Sequence, residues 1–563
     1  MDPSKVRYEW NKISWRKAEV SVFKLQKRIY QASLRNEVKK VHRLQKLLLS
    51  STNAKLLAVR QVTQDNRGRN TAGIDGVAKL TQKARMRLVE EMKLDEKSIP
   101  VRRIWIPKPG KPEKRPLGIP TISERGKQGV VKMALEPEWE AKFEANSYGF
   151  RPGRSAHDAW GAIYLALCQK AMYVLDADIA GCFDNINHQA LLDKLKTFPL
   201  LRKVVKGWLK AGIMENGIFY TSEAGTPQGG VISPLLANIA LHGLEDDTKQ
   251  ALLQDLLVCQ KENKRRTGNK QALSTMSIIR YADDFIVMHE SEEMVVKAKS
   301  FIEGWLKDMG LEMKISKTQI IHSLHQIGEK KAGFDFLGVT VRQFPNKQAK
   351  RGYKLLMKPS RQSQKRHCKS IKETLRSLRA APMEAIIGAL NPIVNGWSRY
   401  YVPVVSRKIF EKMDHEMFYK LWQWATHRHP HKSKRWIKRK YFRTLRKANW
   451  RFMTQVGKYL VQHSDHPIKR HTKVIGRKSP YDGDWVYWAT KLGKSLTISP
   501  RVAKLLKYQK GKCDECKLWF EAKVLMEVHH QDRNRNNNVL TNLKLLHGHC
   551  HDKVHQEEVC NAA

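Results

Sequence analysis

The chain has 563 residues, too many for one hydrophobic core, and its length calls for several domains. It carries 104 Lys and Arg against 54 Asp and Glu, a net charge of +50 that would repel itself strongly unless the protein works against a polyanion. The charge is spread along the chain among 15 Trp and 16 Tyr able to stack on bases, which favours nucleic acid over an anionic membrane surface. The first twenty residues lack the apolar core of a signal peptide, and no 18-residue uncharged apolar stretch occurs, so a soluble, intracellular protein is expected. Eight cysteines in so long a chain do not form a disulfide framework.

Between Val22 and Leu48 the residues Val22, Leu25, Ile29, Val41, Leu44 and Leu48 recur at near-helical spacing, predicting an amphipathic helix with a basic outer face. Residues 62–76 read as a polar, Gly-rich loop. The stretch 98–120 reads as a strand, a Pro/Gly turn and a second strand, hence a basic hairpin. From about 120 to 345, helical stretches such as 186–196 alternate with short strands at 172–179, 278–288 and 334–342, the mark of an α+β or α/β unit. Residues 360–455 read as mostly helical. From 430 to 480 there are 16 Lys or Arg against a single acid, Asp465, an imbalance that points to nucleic-acid contact. "SDHPIKRHTKVIGRKSPYDGD", 464–484, then reads as a linker into a small module that starts near residue 500.

Two apolar strands carry unexpected acids. "IIRYADDFIVM", 278–288, sets Asp283 and Asp284 where two short strands meet, and "ADD" reads as the turn between them. Carboxylates in such a run need cations, donors or water, so the pair is either a metal site or a solvated hairpin tip. Upstream, in "YVLDADIAGCFDNINH", 173–188, Asp176 and Asp178 share one strand face. If this strand lies beside the hairpin, Asp178 with Asp283 and Asp284 can hold two Mg²⁺ ions of the kind that clamp a phosphoryl transfer. Asp184 is expected as a helix N-cap or an orienting group.

The ordered blocks "IPKPGKPEKRPLGIPT", "NSYGFRPGRSAHDA", "AGTPQGGVISPLLANI", "RYADD", "LEMKISKTQI" and "FDFLGVTV", together with "DIAGCFD", resemble the group II intron-encoded branch of reverse transcriptases. The resemblance implies that Asp178, Asp283 and Asp284 are the catalytic Mg²⁺ ligands. It implies that Phe183 lies under the incoming sugar and selects deoxynucleotides, and that Lys108 and Arg115 hold the triphosphate. Gln228 and Gly229 of "TPQGG" then approach the nascent base pair, and Lys317 lies near the primer and active site. "NPIVNGWSRYY", with Trp397, Arg399, Tyr400 and Tyr401, and "HRHPHKSKRWIKRKYF", with Arg428, His429, Pro430, Lys434 and Trp436, resemble the maturase segment of the same family. Their cations are expected to grip structured intron RNA and the primer-template duplex, and packing is the alternative for Trp397.

Near the C-terminus "CDEC" at 513–516 and the pair His547 and Cys550, about 30 residues on, form a zinc-ligand pattern, Cys513, Cys516, His547 and Cys550, with His549 as the alternative histidine. "VHH", Asn542 and "CHDKVH" resemble an HNH nuclease ββα-metal site. That resemblance implies His529, His551 and His555 as ligands of one divalent ion, His530 as general base and Asn542 as support of the base-bearing loop. A zinc-stapled DNA-binding knuckle without cleavage is the alternative.

The expected architecture is multidomain: an α+β right-hand polymerase of fingers and palm, an α-helical thumb or maturase domain, and a small zinc-containing ββα-metal HNH domain. The expected boundaries are 1–90 for an N-terminal basic helical extension of the fingers, 91–355 for fingers and palm, 356–450 for thumb and maturase, 451–500 for a basic DNA-binding segment and linker, and 501–563 for the HNH domain. By resemblance the protein is an RNA-directed DNA polymerase, a splicing maturase and a DNA endonuclease. It acts with its intron RNA as precursor and excised lariat, a DNA target site, an RNA template with DNA primer, and dNTPs, in a bacterial cytoplasm (nucleoid-associated) or an organelle, without a membrane partner. A splicing-only maturase with an idle polymerase, or a reverse transcriptase of another element, are the rival readings.

Overall fold

The computed structural model describes residues 9–107, 113–263, 268–445, 448–495, 498–520, 525–535 and 537–560. The amphipathic stretch near the N-terminus is two helices rather than one, Trp15–Leu34 and Val38–Ser50. The break falls where Asn36 takes φ 56°, a left-handed conformation that Asn tolerates and that apolar spacing does not register. Both helices pack with Thr52–Arg60 on the long Ile122–Lys142 helix, placing Val22, Ile29, Val41, Leu44 and Leu48 in one core with Val130, Ala134 and Leu135. The loop expected at 62–76 begins with a wide π-helical turn, Gln61–Asp65, and a tight 3₁₀ turn, Arg67–Asn70.

The basic hairpin forms from β1 (Val101–Pro107) and β2 (Lys114–Ile119), antiparallel, with Ile106 opposite Arg115. After the Ala156–Leu167 helix comes β3 (Tyr173–Asp178). Strands β4 (Ile213–Glu215) and β5 (Ile218–Tyr220) extend the first sheet in the order β2-β1-β4-β5. A second sheet, β6-β7-β3-β8, is built from β6 (Ser277–Tyr281), β7 (Asp284–His289), β3 and β8 (Gln319–His322). Its strands are apolar on both faces because both are covered. Leu175, Ala177, Ile278, Phe285 and Val287 enter the core shared with the N-terminal helices, whereas Val174, Ile279, Ile286 and Met288 enter a second core. Each fully buried Leu, Ile, Val, Phe or Met contributes about 1.5–3 kcal/mol, so a two-residue strand period filled on both sides anchors this sheet firmly.

The run 334–342 is a hairpin rather than one strand: β9 (Phe334–Phe336) turns at Leu337 and Gly338, both at positive φ, into β10 (Val339–Pro345), which pairs with β11 (Tyr353–Pro359). Four helices follow, Arg361–Ser377, Met383–Tyr401, Arg407–Arg428 and Lys434–Tyr441, around Ile371, Ile386, Leu390 and Leu421. Within the stretch expected to be helical lies a further hairpin, β12 (Phe442–Leu445) and β13 (Ala448–Phe452). Phe442 packs on Phe418 and Trp422, so tertiary contact of aromatic side chains favours strand there.

The stretch 464–484, read from the sequence as a linker, is tied back to the body. His471 Nε2 lies 2.9 Å from buried Asp158 Oδ1, the Val474 amide donates to the same oxygen at 2.8 Å, and the Tyr481 hydroxyl donates to Glu136 at 2.7 Å. Helices Trp485–Gly493 and Pro500–Tyr508 lead to β14 (Met526–His530), β15 (Leu543–His547) and the Gly548–Cys560 helix. Among the described residues no helix is long and apolar enough to cross a membrane.

Candidate functional site

The "ADD" hairpin is tighter than its sequence suggests. Tyr281 pairs with Asp284 across a turn made of Ala282 and Asp283, so Asp283 sits on the turn and Asp284 starts β7. Ala282 holds φ 59°, a left-handed conformation that an L-residue keeps only where the surroundings impose it. Those surroundings are specific. Gly149 lies so close that a Cβ there would sit 2.2 Å from the Ala282 nitrogen. Arg280, fully buried, donates to Ser147 Oγ at 2.8 Å, to Asn238 Oδ1 at 3.1 Å and to the Ala282 carbonyl at 3.3 Å, and Asn238 donates to the Gly149 carbonyl at 2.8 Å. The Tyr148 amide donates to the Arg280 carbonyl at 2.9 Å. Ser147, Gly149, Asn238 and Arg280 received no role in the sequence reading. Their signal was a charged residue inside an apolar strand and small or polar residues inside the recurring blocks.

Asp178 ends β3 directly opposite Asp284, and the Ile179 amide donates to the Asp283 carbonyl at 3.2 Å. All three carboxylates therefore meet at one end of the second sheet, with the Lys317 ammonium on Asp178 Oδ2. Their charge is costly to hold. Burial, then Asp283 and Asp178, push the Asp284 carboxyl up to about 7, and burial also raises Asp283, opposed by a hydrogen bond to its own backbone, Lys317 and Arg115. Neighbouring Asp176 is pushed up to about 6 by burial, although Gln319 donates to it at 3.3 Å. Three neighbouring carboxylates at one sheet end, in a partly dry site with one ammonium, are the donor type that suits hard divalent cations such as Mg²⁺.

Arg115 is exposed on β2 and close enough to act on Asp283 electrostatically, while Lys108 lies outside the described residues. Phe183 is half-buried, edge-on to Phe150 at 5.9 Å, in the short Cys182–Asn185 helix. It lines a cavity of about 210 Å³ with Gln228, Pro116 and Gly118. The loop carrying Gln228 and Gly229 is wedged between β2 and the Cys182–Asn185 helix. The Gly118 amide donates to the Gln228 carbonyl at 2.6 Å, the Thr226 amide to the Phe183 carbonyl at 2.6 Å, and Gly229 at φ 118° leaves no room for a Cβ, which would lie 2.6 Å from the Gly118 oxygen. Asp184 is not the expected cap, since Asn187 caps the following helix through the Ala190 amide at 2.9 Å; Asp184 instead accepts from Gln228 at 3.3 Å, an orienting contact.

The aromatic residues of the maturase-like motifs are packed, whereas Arg428, Pro430 and Lys434 are exposed. Trp397 stacks on His367 at 4.6 Å and donates to Ser363 Oγ at 3.3 Å, the Tyr400 hydroxyl donates to the Leu337 carbonyl at 3.1 Å, and Tyr401 meets Ser363 Oγ at 2.6 Å. Arg428 donates to the Ala381 carbonyl at 2.6 Å, and His429 meets the Tyr441 hydroxyl at 2.7 Å and packs edge-on to Trp436.

In the C-terminal module, ligand atoms of Cys513, Cys516, His547 and Cys550 all lie within 4.8 Å of one another, and all four residues are buried. Tetrahedral Zn²⁺ suits that donor set. His549 instead points its Nδ1 at Glu19 of the N-terminal helix, 3.2 Å away. A second cluster, His529, His551 and His555, is equally close, with His551 Nδ1 held by Glu527 at 2.7 Å. His551 and His555 share a helix face and His529 reaches them from β14. His530 lies outside this cluster, with Nε2 3.2 Å from Asn538 Oδ1. Asn542 donates to Asp532 Oδ1 at 2.8 Å and to the Asn537 carbonyl at 2.9 Å, closing the loop that follows His530.

Comparison with known proteins matches three families along the chain. The family "Reverse transcriptase (RNA-dependent DNA polymerase)" matches residues 106–341, "N-terminal domain of reverse transcriptase" matches 10–92, and "Group II intron, maturase-specific domain" matches 364–442. Protein YkfC of Escherichia coli (strain K12) is 32% identical over 329 residues, 53% of this chain and 82% of that protein. Group II intron-encoded protein LtrA of Lactococcus lactis subsp. cremoris is 33% identical over 273 residues, 40% of this chain and 45% of LtrA. An uncharacterized 91 kDa protein in a cob intron of Schizosaccharomyces pombe is 28% identical over 388 residues, 58% of this chain and 46% of that protein. The chain thus spans most of YkfC but under half the length of the other two.

Proposed function

The chain belongs to the reverse transcriptases that carry a group II intron maturase-specific domain, and from that premise we propose that it copies RNA into DNA at Asp178, Asp283 and Asp284 while helping its intron RNA to splice. The observation that carries the first activity is the convergence of these three carboxylates at one sheet end beside Lys317 and Arg115. Two Mg²⁺ held there would supply charge neutralisation to both the attacking and the leaving oxygen. The chain's own groups do the rest. Asp283 and Asp284, fixed by the Gly149 and Arg280 clamp, orient the ligand oxygens, and Lys317 balances Asp178. Arg115 and Lys108 meet the triphosphate as charge moves toward pyrophosphate. Phe183 presents a ring beneath the sugar, where a 2′-hydroxyl would collide. The wedged Gln228 and Gly229 loop forms the wall beside the new base pair.

The helical region from 361 onward and its basic surface support binding of structured RNA, through phosphate and shape rather than base reading. In the C-terminal module, the four-ligand cluster supports a structural Zn²⁺. The three-histidine cluster on a ββα frame supports an HNH endonuclease with a divalent ion, His530 as base and Asn542 as loop support. Together these parts suit intron insertion: the excised RNA joins one DNA strand, the nuclease cuts the other, and the exposed 3′-hydroxyl primes copying of the intron. The splicing-only reading is countered by the intact carboxylate set.

The test is extension of a DNA primer on an RNA template with dNTPs and Mg²⁺, run beside precursor splicing with and without protein. Extension that vanishes in Asp283→Ala, Asp284→Ala supports the reading. Splicing help with no extension by the natural chain leaves a maturase alone.

A further inference from the structure

Phe150 combines two costs that a purely structural residue would shed. Its φ is 59°, in the left-handed region where a bulky side chain is an outlier, and its ring stays 49% exposed. Exposure of one Phe is ordinary by itself. Joined to the strain it is not, since Gly at this position would hold the same turn without the steric cost and without an apolar ring in water. The neighbours impose the conformation. On one side Gly149 is seated against the Ala282 turn, and its carbonyl accepts from Asn238 at 2.8 Å. On the other, the buried Arg151 guanidinium donates to both Glu140 oxygens, at 2.9 and 3.0 Å, and to the Glu144 and Ser147 carbonyls, at 2.7 and 2.9 Å. Fixed flanks leave Phe150 no room to relax.

The strained residue delivers its ring to Phe183. The two centroids lie 5.9 Å apart with the planes at 78°, the edge-to-face arrangement that aromatic quadrupoles favour. Phe183 lines the cavity it shares with Gln228 and Gly118, whereas Phe150 does not, so Phe150 backs the Phe183 ring from outside that cavity. Phe183 itself is half-buried on a helix of four residues; it touches the main core without being enclosed by it, and Phe150 supplies a further wall. Gly149 meets the turn that carries Asp283, and the next residue meets Phe183. One dipeptide therefore sets the spacing between the carboxylates and the ring. Resting on the reading of Phe183 as the ring beneath the sugar, we propose that Phe150 is a positioning residue for sugar selection. It holds the Phe183 ring where a 2′-hydroxyl collides, and the backbone strain at Phe150 is retained for that purpose.

The test is single-nucleotide addition to a DNA primer on an RNA template by the full-length chain, with dNTP and with rNTP. It compares the natural chain, Phe150→Gly, Phe150→Tyr, Phe183→Ala, and Phe150→Gly combined with Phe183→Ala. Phe150→Gly is expected to lower the dNTP-over-rNTP ratio of kcat/KM about tenfold, the scale that one shaped contact carries, with the loss falling on the ratio and not on kcat for dNTP. Phe150→Tyr keeps the ring and should keep the ratio. The double variant should select no worse than Phe183→Ala alone, because Phe150 acts through that ring. Melting of Phe150→Gly should be unchanged or higher, since Gly takes positive φ without strain. A merely structural role would lower the melting temperature and slow both nucleotides alike, and that result overturns the proposal. So does an unchanged ratio in Phe150→Gly, or fully additive losses in the double variant. Natural selection in Phe183→Ala removes the premise that this ring senses the sugar, and a natural chain that extends no primer removes the polymerase reading; the proposal falls with either, by a result distinct from its own failure.

Discussion

Replacing Asp284 by Asn should make the metal-free protein more stable, although it should abolish activity. The carboxyl is pushed from its ordinary 3.8 up to about 7 by burial and by Asp283 and Asp178, so its charged form is disfavoured by at most about 4 kcal/mol above neutrality. The sign follows from linkage: the folded state holds this proton more tightly than the unfolded chain, so stability falls as pH rises from about 4 through about 7. Asn keeps the shape and never charges. With relaxation and Lys317 offsetting part of the cost, Asp284→Asn should gain about 1–3 kcal/mol at pH 8 in EDTA, a rise of about 2–4 °C per kcal/mol in the unfolding transition of the domain that contains it. At pH 5.5, about midway between the unfolded and folded values, the gain should fall to about half, and it should vanish below about pH 4, where both states hold the proton. Added Mg²⁺ should raise the melting temperature of the natural chain more than that of the variant. Differential scanning fluorimetry at the two pH values, with EDTA or Mg²⁺, reads all of this. No gain at pH 8, or an equal gain at pH 5.5, would refute the argument that uncompensated charge strains this site.

Gly149→Ala would drive a Cβ to 2.2 Å from the Ala282 backbone, where no side-chain rotation can relieve it; about 1–3 kcal/mol of destabilisation and about a 100-fold loss of primer extension are expected, checked by melting and steady-state rates. Phe183→Ala should relax sugar selection by about 10–200-fold, measured as the ratio of dNTP to rNTP incorporation, with dNTP addition retained. Metal analysis should separate the two C-terminal clusters. Cys516→Ser should lose bound zinc and soften the module, whereas His555→Ala should keep the zinc and lose nicking of supercoiled DNA.

The strand period carried much of this site. Alternation in "YVLDADIAGCFDNINH" places Asp176 and Asp178 on one face, and the apolar runs on either side of "ADD" predict the hairpin. The histidine spacing four apart was equally readable, because a helix turns those nitrogens onto one face. What sequence spacing did not carry is tertiary. Gly149 is small because the Ala282 turn, 133 residues further along the chain, lies against it, and buried Arg280 finds Ser147 and Asn238 only once the sheet is assembled. Asn36 and the Leu337-Gly338 turn break elements through backbone conformation alone, leaving hydrophobic periodicity undisturbed. The 464–484 stretch looked like a linker because its anchor, Asp158, is one carboxylate buried more than 300 residues upstream.

Single-nucleotide addition to a DNA primer on an RNA template, followed by rapid quench at saturating Mg²⁺, tests the central claim most directly when the natural chain is compared with Asp178→Asn and hybrid binding is measured in parallel. The account predicts addition by the natural chain and a loss of about a thousandfold or more in the variant, about 4 kcal/mol of barrier, with the hybrid bound equally well. Equal rates in the two proteins, or no addition by a natural chain that binds the hybrid, would contradict it.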